Sequence, residues 1–151
     1  MKNPPLPDHQ HTGFDASNVT WANITGKKLY VSHTIQGTAA ATATNYGVFF
    51  IAPFACYISG FKEVHQTAGT DGGAVTLTLE KLSGTTAPDS GSVMLASTLS
   101  LKGTANTVQT GTLTTTLANR NLAIGDRMCL KDAGVLTSVA NVTVLCELTV
   151  I

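Results

Sequence analysis

The residues able to do chemistry are few and widely spaced. His9 and His11 form the one histidine pair. In an extended segment, residues i and i+2 point the same way, so the two imidazoles would face one partner. One chain supplies too few ligands for a metal site, although three chains on an axis would present an octahedral set suited to a transition metal. The plainer reading is a polar docking segment whose histidines bond to a neighbour, and no metal is assigned. His33 lies on the apolar side of an alternating stretch, with Glu63 and His65 the available partners for a metal-binding set. The simpler expectation is a histidine at a core edge or a subunit interface.

Nucleophiles fail for want of partners. Serine is plentiful, but no Gly-x-Ser-x-Gly elbow occurs. Cys56 has no nearby basic group to lower its pKa. No carboxylate pair suited to glycoside chemistry is identifiable. Asp71, Asp89 and Asp132 sit in glycine-rich stretches and read as turn residues. Gly69-x-x-Gly72-Gly73 follows one strand and opens another, so it offers phosphate no helix N-terminus. The three Asn-x-Thr triplets at Asn18, Asn23 and Asn141 read as chance in a threonine-rich chain. The expectation is a non-enzymatic protein without a cofactor, one that acts by folding and associating.

Composition points the same way. The chain has 151 residues, enough for one domain with a core of its own. Nine basic and nine acidic residues balance to zero formal charge, and only 12% of residues are charged. An electrostatic grip on nucleic acid needs clustered Lys and Arg, so nucleic acid is not an expected partner. A near-neutral surface favours association with other protein. The longest apolar run, residues 48–52, is far too short for a bilayer, which needs ~20 residues, so no membrane partner is expected. The start of the chain lacks the apolar stretch of a secretory signal. Cys56, Cys129 and Cys146 have no metal-site spacing and fall in strand-like runs, so they read as buried free thiols of a reducing cytoplasm.

These residues must be positioned by strands. Residues 1–26 stand apart, with Pro4, Pro5 and Pro7 holding the start extended. Phe14, Val19, Trp21 and Ile24 then appear at no regular period. This is read as an N-terminal docking arm, its apolar residues packing on a partner or a neighbouring subunit because exposing them is costly. From Lys27 the pattern becomes β, and residues 27–151 are read as one domain. Leu29, Val31, His33 and Ile35 alternate with polar residues. Residues 37–45 read as a loop, and residues 46–52 as a strand ended by Pro53. The next strand, residues 56–66, changes parity at Gly60, which predicts a bulge that re-aims Phe61, toward a subunit interface in this reading. Further strands are expected at residues 75–79, 99–101, 107–117, 127–131 and 142–150, and residues 83–92 read as a loop. About eight short strands with turns between them and no amphipathic helix predict an all-β sandwich, a jelly roll.

Residues 46–97 (YGVFFIAPFACYISGFKEVHQTAGTDGGAVTLTLEKLSGTTAPDSGSVMLAS), with LKGTANTVQTGTL and LAIGDRMCL, resemble a family of small virion proteins of tailed bacteriophages. The family comprises jelly-roll modules of head decoration (cement) proteins, head fibres and fibre tips. DHQHTGFDASNV resembles segments near the N-termini of phage fibre-type subunits. The resemblance covers roughly residues 28–151. It implies a homotrimer on the virion surface, assembled in the host cytoplasm. It further implies a decoration protein partnered by the major capsid protein of the head, which it stabilises through its arm. The alternative it allows is a fibre tip or receptor-binding protein.

Overall fold

The computed structural model describes residues 26–38 and 47–151, with the backbone alone for residues 36–38. Alternating β-branched and leucine positions dominate it, and such residues suit a pleated, half-buried surface. The strands are β1 (Lys28–Thr38), β2 (Gly47–Ile51), β3 (Cys56–Thr67), β4 (Thr76–Leu82), β5 (Ser92–Val93), β6 (Leu99–Ser100) and β7 (Gln109–Gly111). A short helix, α1 (Leu117–Arg120), precedes β8 (Asn121–Leu122), β9 (Arg127–Ala133) and β10 (Ala140–Val150).

The strands form two sheets. Sheet A has the order β1-β10-β3-β7, with β8 also pairing β3. Sheet B has the order β2-β9-β4-β5, with β6 also pairing β4. Each ladder between these strands is antiparallel. Successive strands alternate between the sheets early in the chain, and late strands insert between early ones, which is the winding of a jelly roll. The outermost position of each sheet is filled by two short pieces, β7 and β8 in one and β5 and β6 in the other. Ten strand segments thus fill the eight positions that the sequence predicts.

The inner faces meet in one apolar core. Sheet A contributes Ile58, Phe61, Val144, Cys146 and Leu148, and sheet B contributes Leu77, Leu79, Met128 and Leu130. Cys56, Cys129 and Cys146 are buried free thiols, as expected. Burial pushes the Cys146 thiol up to about 12 and the Cys56 thiol up to about 11, so neither is poised as a nucleophile.

Two local expectations need correction. Residues 107–117 are not one strand: Gln109–Gly111 pairs with β3, Leu113 makes an isolated bridge to Leu95, and a helical turn follows at Leu117–Arg120. Asp132 is no turn residue; it lies in β9 with 4% exposure. The β-branched content of the first stretch and the glycine beside Asp132 misled, because pairing partners elsewhere decide where a ladder stops.

Candidate docking surfaces

The bulge expected at Gly60 is present. Glu147 stands opposite Gly60, while the next residue, Leu148, stands opposite Ile58, so Ser59 is the extra residue on β3. The extra residue flips the alternation. Cys56 and Ile58 face the core before it, and Phe61, Glu63 and His65 face the core after it. The freed geometry is secured from α1, where Arg120 donates to the Ile58 carbonyl from Nε at 3.3 Å and Nη2 at 3.2 Å.

Phe61 therefore goes inward. It has 0% exposure, which overturns its assignment to a subunit interface. Gly111 across the ladder makes the room: a Cβ there would stand 2.8 Å from the Phe61 ring.

Glu63 and His65 form a pair whose side chains are both fully buried. The Glu63 carboxyl meets His65 Nδ1 at 2.9 Å, and His65 Nε2 donates to the Gly103 carbonyl at 3.1 Å. Gln109 Nε2 donates to the other Glu63 oxygen at 2.8 Å and to the Ser100 carbonyl at 2.8 Å. One shared proton satisfies the pair, as carboxylate with imidazolium or as carboxylic acid with imidazole. Burial raises the Glu63 pKa, while the His65 and Gln109 bonds pull it back. Without solvent access, the pair pins β3, β7 and the 100–103 turn together and has no room for a substrate.

His33 does not join them. It is half-buried on β1, its ring stacked on Phe49 of β2 with centroids 5.2 Å apart and planes 16° apart. This stack ties the two sheets where β1 and β2 form their outer edges. Val144 lies between His33 and Glu63 in the register of sheet A. Among the described residues no group of three His, Cys, Asp or Glu side chains is placed to hold a metal. His9, His11, Phe14, Val19, Trp21 and Ile24 lie outside the described residues.

The outer faces of the two sheets differ. Sheet B is clothed by its own chain. The loop of residues 83–91 folds back over β4 and β9, where Asp89 N donates to Glu80 Oε2 at 2.9 Å. Lys131 pairs with Asp89 and stands 3.7 Å from Glu80. Arg127 donates to the carbonyls of Gly84 at 2.8 Å and Thr86 at 2.9 Å. A Cβ at Gly91 would come within 2.6 Å of the Leu82 side chain and the Lys81 carbonyl, so glycine permits this close approach. Glu80 and its register partner Cys129 are left with 1% and 0% exposure.

Sheet A is bare among the described residues. Its outward positions include Tyr30 and Val108, each 60% exposed, and the half-buried Val64 and Leu145. Threonines surround them, and Thr34 and Thr143 bond across the strands at 2.9 Å. Two shallow hollows lie on this face. One of about 190 Å³ runs over the bulge between Tyr30, Lys62 and Glu147, and one of about 200 Å³ lies over Val64, Val108 and Leu145. Charge is sparse: Lys28 reaches Glu147 at 2.6 Å, and Lys62 stands nearby.

Two solved phage capsids contain chains of this fold. One is from the capsid of Ralstonia phage GP4, with TM-score 0.64 and 16% identity, covering 99% of this chain and 90% of that one. The other is from the cyanophage Pam1 capsid asymmetric unit, with TM-score 0.53 and 14% identity, covering 100% of this chain and 95% of that one. At these identities the likeness is one of fold. No protein-family model and no curated protein matches the chain.

Sequence reasoning missed both faces. The strand at residues 142–150 was legible, but its outward residues were not singled out, and nothing in the sequence says which sheet the loop of residues 83–91 covers.

Proposed function

We propose that the chain is a non-enzymatic structural protein of a tailed-phage virion. In this reading it is a trimeric decoration protein that binds the major capsid protein on the head surface and stabilises the shell. The observation that carries the proposal is the near end-to-end match of its jelly roll to chains found in two phage capsids. The bare outer face of sheet A supports it, since a low-charge sheet face with exposed Tyr30 and Val108 suits a second copy better than water. Copies would associate through this face, and His33 at the neighbouring open edge would flank the contact. The segment formed by residues 1–26 would reach the shell, with His9, His11, Phe14, Val19, Trp21 and Ile24 as its contacts. Many modest contacts repeated over a symmetric lattice then sum to firm binding.

The test is to mix the purified protein with head shells stripped of it. Saturable binding and greater heat resistance of the shells are expected. Failure to bind, together with adhesion to intact host cells, would instead identify a fibre-tip protein.

A further inference from the structure

The bare face of sheet A has a relief of its own. Its outward positions form rows across the strands. Tyr30 stands opposite Glu147, and Glu147 opposite Gly60, which has no side chain to offer. Ser32, Leu145, Lys62 and Thr110 form the next row. Thr34, Thr143 and Val64 form the third.

A knob and a hollow stand out of these rows. The knob is Tyr30, the one exposed aromatic side chain among the described residues. Its phenol oxygen makes no hydrogen bond among them. The hollow is the one of about 200 Å³ over Val64, Val108 and Leu145. Lys62 and Thr143 also line it, whereas Glu63 in the same wall turns its carboxyl into the core toward His65. The Thr143 hydroxyl is engaged with Thr34, and Glu147 in the neighbouring hollow is bound by Lys28. Lys62 makes no hydrogen bond among the described residues, so its amine is the polar group left beside an apolar floor. That combination suits a ring with a polar tip, which is what a tyrosine side chain is.

A copy cannot fill its own hollow. Val64 lies two strands and four residues from Tyr30 in the register. At ~4.8 Å per strand and ~3.4 Å per residue that is roughly 16 Å, beyond the reach of a side chain. We infer that the hollow over Val64, Val108 and Leu145 is the seat for Tyr30 of a second copy, the ring lying on the apolar floor and the phenol oxygen accepting from Lys62. Each copy then gives one tyrosine and receives one. Such a head-to-tail contact joins two different parts of the surface and generates a ring when the rotation closes. With three sheet A faces turned toward an axis, the Tyr30 side of each meets the Val108 side of the next. The inference rests on the reading that this face joins three copies, and it adds which part meets which.

Sedimentation and cross-linking test it together. Tyr30→Ala truncates an exposed side chain, so circular dichroism is expected to stay unchanged while self-association weakens about tenfold or more. Tyr30→Phe keeps the ring and loses the bond to Lys62, and is expected to fall between. A Tyr30→Ala chain that associates like the wild type would overturn the inference. Ser32→Cys beside the knob and Val108→Cys at the hollow, placed in one chain, read the contact itself. Within one copy these positions lie roughly 16 Å apart, too far for a short bismaleimide. The three native thiols are buried. Covalent trimers on a denaturing gel are expected from the double variant and from neither single variant. A chain that sediments as a trimer yet yields no covalent trimer would overturn the seat and spare the trimeric reading. Cross-linked dimers from a single variant would do the same, because like would be meeting like. A chain that stays monomeric at every concentration would overturn the reading and the inference together.

Discussion

The two sheets of this sandwich solve the same problem in opposite ways. Each has an inner face buried by the other sheet and an outer face that must meet something. Sheet B meets its own chain, through a loop fastened by Glu80, Lys131, Asp89 and Arg127. Sheet A meets nothing among the described residues, although it carries Tyr30, Val64, Val108 and Leu145 outward. Their buried carboxylates differ to match. Glu63 lies inside sheet A and is held by His65, whereas Glu80 lies on the outer side of sheet B and is held by the loop. The difference teaches which outer face the described chain covers and which it leaves bare.

Four outcomes would break or sharpen this contrast. The largest effect is expected on association. A charge at the centre of the bare face, Leu145→Arg, should weaken self-association about tenfold or more, as loss of a buried interface anchor does. Thr85→Arg on the clothed face should leave it unchanged. Sedimentation of both variants decides the matter, and equal behaviour would erase the distinction between the faces.

Next comes the inside of sheet A. His65→Leu leaves Glu63 buried without its partner, and breaking such a pair costs about 3–5 kcal/mol. Denaturant unfolding measures it, and a loss well under 1 kcal/mol would mean that the pin is idle. Glu80→Ala removes the loop's fastening at a cost of about 1–3 kcal/mol. It should also uncover Cys129, which will then react with a maleimide while Cys56 and Cys146, in the core, stay protected. Uniform labelling of all three thiols, or of none, would refute the covering role of the loop.

The smallest effect is a pH slope. The Glu63 pKa is raised in the folded chain by burial. A carboxyl raised on folding stabilises the fold fully below its unfolded pKa, and that contribution is lost as pH rises through the folded value. The melting temperature of the wild type relative to Glu63→Gln should therefore fall as pH rises from about 4 toward 8. A gap that stays flat or widens in favour of the wild type would show that the His65 bond outweighs burial.

Much of this architecture was legible from the residues. The alternation from Leu29 to Ile35 and from Val142 to Val150 marked β1 and β10, because a half-buried strand must alternate. Pro53 ended β2, and Gly60 announced the bulge. The direction in which the bulge turns Phe61 was not legible, since an interface and a core ask for the same apolar residue. Glu63 and His65 stand two apart on one side, which is visible, but Gln109 and Gly103 complete their pairing from about 40 residues away. The clothing of sheet B depends on Glu80, Asp89, Arg127 and Lys131, which no local pattern links.

The proposal to be tested first is that this jelly roll is a component of a phage head. Gold-labelled antibody against the protein, applied to intact virions, tests it most directly. Label distributed over the head surface is the predicted result, and label confined to the tail or absent from the particle would contradict it.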